Sequence, residues 1–276
     1  MPLTISGYVP FYNNRTTVLA ALQSVADQDL KLMQVFALDD GSTDEGAELL
    51  DSSGFRCLQQ PLNQGRGATR HRAMLESDGD IVVCCDATNV LPSDFVSQLM
   101  HWFNDPNVAA VYGRIKDPQP HGAIGRWRAR HLFKADLCMT VQHQAPLITF
   151  GTLVRKSAVV AVGNFNQELR HTEDGELGDR LIAAGYDIVF DPSASVICNV
   201  QNTLGQVLER YWRWYVGKNE TISLLLYSKN ILYSLKCMVM LDLSRQDSAS
   251  ALISLICPHY QFWRSLTIRI SKSFLW

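Results

Sequence analysis

Apolar runs of strand length alternate along this chain with segments whose apolar positions recur at helical spacing. Leu3 to Val9 reads as a first strand. Val18, Leu22 and Val25 then share one helical face behind a capping Asn13 or Asn14. The apolar run from Met33 to Ala37 predicts a second strand that ends at Asp39. A helix through Glu45 to Leu50, a short strand near Phe55 to Leu58 and a helix from Gly65 to Leu75 follow. Ile81-Val82-Val83-Cys84-Cys85 is apolar throughout, as a buried strand should be, and stops at Asp86. Pro92 opens a helix with Phe95, Leu99 and Trp102 on one face, and Val108 to Tyr112 is the next strand. This alternation predicts an α/β fold, a mostly parallel sheet flanked by helices.

The pattern changes at Asp117. Pro118, Pro120, Gly122 and Gly125 precede a basic helical patch of Arg126, Arg128, Arg130 and His131. Order resumes with a strand over Leu147 to Arg155 and a helix from Glu173 to Ala184, which Gly185 ends. Asp187 to Phe190 is a short strand before Asp191-Pro192, and the chain reads as helical from Thr203 onward. No internal repeat or low-complexity tract is present.

Composition narrows the class. The chain has 276 residues, 47% apolar and 19% charged, enough for a sizeable core and ordinary for a globular protein. A net charge of -2 gives no electrostatic reason to expect nucleic acid. The seven cysteines are odd in number and include no Cys-x-x-Cys pair, which points to a reducing compartment without a disulfide framework. No signal peptide and no run of eighteen apolar residues is visible; Ile222 to Leu241 comes nearest, broken by Lys229, Asn230 and Lys236. The expected location is cytoplasmic, either free or peripheral at a membrane.

The chemistry concentrates at predicted strand ends. Asp39-Asp40-Gly41-Ser42-Thr43-Asp44 is a tight turn into a helix, and ligands of open α/β sheets bind there. Turn and cap chemistry accounts for Gly41 to Asp44 but not for two adjacent carboxylates. Asn63-Gln64-Gly65-Arg66-Gly67 opens a helix whose N-terminus favours phosphate, with Arg66 and Arg70 one turn apart. Glu173-Asp174 sits in a first helical turn, where a carboxylate is stabilised as the anion.

Taken in order, Pro10-Phe11-Tyr12-Asn13, Asp39 to Asp44, Asn63-Gln64-Gly65 with Ala68 and Arg70, Asp86, Val90-Leu91-Pro92, Gly151 with Arg155, Glu173-Asp174, and Gly185-Tyr186 before Asp191-Pro192 resemble a family 2 glycosyltransferase of the GT-A fold. The likeness covers roughly residues 3–200. It implies a Rossmann-like sheet with a C-terminal helical appendage: a nucleotide-sugar-binding half over 1–115, an acceptor or catalytic half over 116–202 and a helical region over 203–276. It further implies inverting transfer of a sugar from a nucleoside-diphosphate donor, UDP by the match of Asp40, to a hydroxyl acceptor on a glycan or lipid-linked substrate. Asp174 would be the general base, with Glu173 beside it. Pro10, Tyr12, Asp40, Asn63, Gly65, Arg70, Asp86 and Thr88 would hold the donor. Arg66, Arg210, Arg213 and Trp214 are candidates for diphosphate or acceptor contacts.

Two positions depart from the family pattern. Where the family carries Asp-x-Asp, this chain has Asp86-Ala87-Thr88, and Cys198 falls about where a metal-binding His would be. Neither a hydroxyl nor a thiol suits Mn or Mg, so Asp86 alone remains and metal dependence is expected to be weak or absent. The same departures motivate an alternative, a nucleotide-sugar-binding protein with impaired catalysis. A nucleotidyltransferase lacks support because no Gly-rich run with Lys follows strand one, and a dehydrogenase because Gly-x-Gly-x-x-Gly is missing. The C-terminal apolar helices would form a hairpin, a homodimer face or a membrane-surface contact.

Overall fold

In a computed structural model of the chain, the described residues are 3–215 and 221–273, with side chains described through Arg269. Eight strands form one sheet among them: β1 (Ile5–Phe11), β2 (Gln34–Asp39), β3 (Arg56–Gln59), β4 (Ile81–Cys85), β5 (Asn89–Val90), β6 (Val108–Lys116), β7 (Gly151–Arg155) and β8 (Asp187–Cys198). The helices in chain order are α1 (Val18–Ala26), α2 (Gly46–Ser52), α3 (Arg66–Glu76), α4 (Phe95–Met100), α5 (Gly122–Trp127), α6 (Lys156–Ala161), α7 (Glu173–Ala183), α8 (Leu204–Tyr215), α9 (Leu224–Tyr233), α10 (Met240–Ser244) and α11 (Ser248–Ser273). Two compact units result. One holds the residues up to Lys116 together with Cys138–Val200; the other holds Asp117–Leu137 and the residues from Gln201 on.

The first unit contains the whole sheet, in the order β3-β2-β1-β4-β7-β6-β8-β5. β3, β2, β1 and β4 run parallel, as β6 and β8 do. β7 is antiparallel to both β4 and β6, an antiparallel insertion in the mostly parallel sheet that the sequence suggested. β4 lies between β1 and β7, and all five of its residues are buried, which is why it reads as a continuous apolar run. Helix α1 buries Val18, Leu22 and Val25, the face its spacing indicates.

Three local features differ from the sequence reading. Helix α6 forms directly after β7, where no helix was expected. Strand β5 is a two-residue strand that pairs Asn89 with Cys198. Strand β8 runs through Asp191-Pro192 to Cys198 instead of stopping at Phe190. A register irregularity against β6 falls between Phe190 and Ser195, so Pro192 occupies a bulge, where its missing N–H costs no ladder bond. Asp191 is tied down there by Trp102 Nε1 at 2.8 Å and by the Ser193 hydroxyl at 2.6 Å.

The start of α3 is pressed against the 166–169 turn. The Gly67 N–H donates to the Leu169 carbonyl at 2.9 Å. A Cβ on Gly67 would lie 2.1 Å from the Asn166 carbonyl oxygen and 2.5 Å from that of Leu169. Both obstacles are backbone, so neither can rotate away. We expect Gly67→Ala to lower stability by about 1–3 kcal/mol in a urea melt; an unchanged midpoint would show that the turn is not packed on the helix.

Candidate active site

A cavity of about 270 Å³ opens at the carboxyl ends of β1, β2 and β4. This is where a parallel α/β sheet leaves space between diverging loops. Pro10, Phe11, Tyr12 and Asn14 line it from the end of β1, Asp40 from β2 and Asp86, Ala87 and Thr88 from β4. Asn63, Gly65, Arg66, Thr69 and Arg70 come from the loop and first turns of α3, and Arg170 from the loop before α7.

The two adjacent carboxylates do different things. Asp39 Oδ1 accepts from the Ser42 N–H at 2.9 Å and the Ser42 hydroxyl at 2.5 Å, closing the turn. Its carboxyl is pushed up by burial, against the lowering pull of those bonds. Asp40 Oδ1 accepts from Gln60 Nε2 and the Gln64 N–H, both at 2.8 Å, and Oδ2 accepts from the Gly65 N–H at 2.9 Å. Asp40 therefore fixes the loop that carries Asn63 and Gly65. Three of about four lone-pair positions are used, which leaves acceptor capacity on Oδ2.

Arg70 is the junction of the site. Its side chain is 2% exposed, and Nη2 meets Asp86 Oδ1 at 2.5 Å while Nε meets Glu173 Oε1 at 3.1 Å. The guanidinium thus joins the end of β4 to the first turn of α7. Its remaining nitrogen, Nη1, has no hydrogen-bond partner among the described residues. Burial disfavours the charge on Arg70, but Asp86, Tyr8 and Glu173 together hold it protonated. Glu173 is itself 2% exposed, and burial pushes its carboxyl above the ordinary 4.5 despite the pull of Arg70.

Asp174 does not line the cavity. It lies one residue along α7 from Glu173, half-buried, with Thr149 Oγ1 at 3.4 Å from Oδ2 and its own helix's Gly175 N–H at 2.9 Å from Oδ1. Arg66 is an exposed member of the lining, whereas Arg72 turns away to the Gln59 carbonyl. Arg210, Arg213 and Trp214 belong to α8, in the other unit, and every residue lining the cavity comes from the first. Trp212 is core, with the Arg264 guanidinium 4.9 Å from its ring centre, while Trp214 is about half exposed.

Sequence reasoning missed Arg170. Its Nη2 donates to Asn63 Oδ1 at the cavity edge, and its chain crosses Gly65, where a Cβ would come within 3.1 Å of it. The glycines at 65 and 67 were a sign that another backbone comes close, but not of which one. The N–H groups of Gly65 and Gly67 are already taken by Asp40 and Leu169, so they are not open to phosphate. Cys198 does sit beside the Asp86 loop, through its pairing with Asn89 and the bond from the Asn199 N–H to the Thr88 carbonyl. Thr88 and Cys198 are poor ligands for a hard cation, and Asp86 is already paired with Arg70. No three His, Cys, Asp or Glu side chains converge as a metal site among the described residues.

The glycosyl transferase family 2 profile matches residues 6–163, which span β1 to α6 and all but one of the cavity-lining residues. The chain belongs to glycosyl transferase family 2. Poly-beta-1,6-N-acetyl-D-glucosamine synthase of Staphylococcus aureus is 26% identical over 221 residues, covering 76% of this chain and 53% of that protein. This family 2 chain thus spans about half the length of the curated relatives it matches. Among solved structures, the Pyrobaculum calidifontis mannosyltransferase PcManGT, in complex with GDP-Man and Mn2+, superposes with a TM-score of 0.59 at 17% identity, covering 78% of this chain and 62% of that one. S. aureus TarS residues 1–349 with UDP-GlcNAc gives 0.57 at 14% identity, with coverage of 76% and 65%. These likenesses give this family 2 member the GT-A fold.

The raised Glu173 carboxyl has a pH signature. Between 4.5 and its higher folded value, the native state binds more protons than the unfolded chain, so stability falls as pH rises. Urea melts from pH 4.5 upward should show this decline in the wild type and a flatter profile in Glu173→Gln. Parallel curves would assign the decline to another group.

Proposed function

We propose that this chain transfers a sugar from a nucleoside-diphosphate donor to an acceptor hydroxyl, with inversion at the anomeric carbon. The observation that carries the reading is the Arg70 junction. It ties Asp86, at the cavity wall, to Glu173, the immediate neighbour of Asp174. The acceptor oxygen attacks the anomeric carbon and the bond from that carbon to the β-phosphate oxygen breaks. The diphosphate leaves, and the acceptor's proton passes to Asp174. Asp40 offers Oδ2 to a base N–H, and Tyr12, 45% exposed at the mouth, offers a ring to cover the base. Uridine fits an acceptor-only carboxylate, since its ring carries an N–H. TarS, a structural neighbour, has been solved with UDP-GlcNAc, which supports that choice. Asp174→Asn should lower turnover by about 10²–10⁴-fold while UDP affinity by calorimetry stays unchanged. Equal loss of both would make Asp174 a donor-binding residue, and wild-type protein that binds UDP without turnover would point instead to a binding protein without catalysis.

The same reading makes arginine, not a divalent cation, the counter-charge to the diphosphate. PcManGT and GalNAc-T7 have been solved with Mn2+, but here Asp86 is spent on Arg70 and the companion positions are Thr88 and Cys198. Arg66 and Arg170 both line the cavity, and preorganised cations can stabilise a leaving diphosphate as a metal does. Arg170→Ala should weaken UDP on the order of 10–100-fold and leave uridine unaffected, as loss of a charge-assisted phosphate contact requires. Excess chelator should leave wild-type UDP affinity and turnover intact. Loss in chelator, restored by Mn2+, would overturn this assignment without touching the role of Asp174.

A further inference from the structure

The stretch from α9 to α10 inverts the usual polarity of a packed helix. Leu224, Leu225, Leu232, Met240 and Leu243 are 50–71% exposed. On α11, Leu252 and Trp263 are 59% and 54% exposed. The inward faces, by contrast, carry a polar stripe beside the buried Met238, Val239, Ile253 and Cys257. Ser234 donates to the Ser254 carbonyl at 2.6 Å, and the Ser254 hydroxyl to Asp242 at 2.6 Å. Asn230 meets Gln261 at 3.0 Å, and the Ile222 N–H meets the Ser265 hydroxyl at 2.8 Å. Small polar residues at the seam with leucines outside is the arrangement of helices whose surroundings are apolar. An exposed apolar surface of this extent marks a contact site.

The charges on this segment say what the contact is. Over residues 221–269 every exposed charged side chain is positive: Lys229, Lys236, Arg245 and Arg269. The two acids in that range, Asp242 and Asp247, are buried and held by Arg130 and Arg126. We propose that this face rests on an anionic lipid bilayer, with the leucines at the acyl boundary and the lysines among the headgroup phosphates. The inner side of α9–α10 carries buried Asp242 and packs on α11, so only the outer side can meet lipid. The segment therefore lies in the interface instead of crossing it. A two-fold contact with a second copy would set a like-charged face against itself, which disfavours that occupant. This inference is independent of the donor and catalytic assignments.

The test is co-sedimentation of the full chain with vesicles of phosphatidylcholine alone, or with a third phosphatidylglycerol. Binding should require phosphatidylglycerol and weaken as salt rises, because the headgroup attraction is screened. Replacing Lys229 and Lys236 together by Gln should weaken it on the order of 30-fold. Leu225→Asp, at an exposed position, should reduce binding to the phosphatidylglycerol vesicles with an unchanged melting temperature. Three results would overturn the proposal: no sedimentation with either vesicle, sedimentation indifferent to both variants, or a vesicle-free dimer by light scattering that Leu232→Asp splits into monomers.

Discussion

One guanidinium ties the two halves of the candidate site together. Arg70 rises from the second turn of α3, is itself buried, and meets Asp86 at the cavity wall after β4 and Glu173 from α7. Burying Arg70 and Glu173 is expensive unless they satisfy each other, with the partly exposed Asp86 as a third partner. Their net contribution to stability is small or even unfavourable, but removing any one strands the others. Loss of one partner of such a pair costs about 3–5 kcal/mol. The arrangement therefore acts less as glue than as a positional constraint. It holds the end of a strand and the start of a helix, 87 residues apart in sequence, to one side chain.

Around that junction the loops hold each other by backbone contacts. Asp40 grips the N–H groups of Gln64 and Gly65, and Gly67 admits the 166–169 turn against the start of α3. Gly41 contributes through its left-handed backbone: a Cβ there would meet the Leu62 carbonyl carbon at 2.7 Å. The loops that wall the cavity are thus positioned by close backbone approaches. Arg66 and Arg170 are left at the rim, where they can meet a ligand. In the proposed reaction, preorganisation of this kind would let fixed charge act on the leaving group without reorganising.

The second unit follows a different rule. Its interior holds an ordinary aromatic cluster, with Trp127 and Tyr211 ring centres 5.7 Å apart. Next to that cluster lies a stripe of serines and carboxylates, fully hydrogen-bonded to each other and to Arg126 and Arg130. Polar groups this well satisfied can stay buried, which frees the apolar positions of the same helices to face outward.

The sequence alone determined whatever depends on neighbours along the chain. Apolar runs and helical spacing located β1, β2, β4, α1, α3 and α7, because burial of a strand or of one helix face writes a period into the residues themselves. It also marked Asp40, Arg70, Asp86 and Glu173-Asp174, whose motifs recur in order. Tertiary structure decided the rest. Only folding shows that Arg70 is committed to two carboxylates, that Asp39 closes a turn while Asp40 faces the cavity, and that Arg170 reaches the rim from a loop with no motif. The antiparallel insertion of β7 and the bulge that carries Pro192 were equally silent. So was the outward turn of the C-terminal leucines, since hydropathy reports that a face is apolar but not which face its partners leave uncovered. Periodicity is a local property of the chain; pairing between distant side chains is fixed only when long-range packing brings them within a few ångströms.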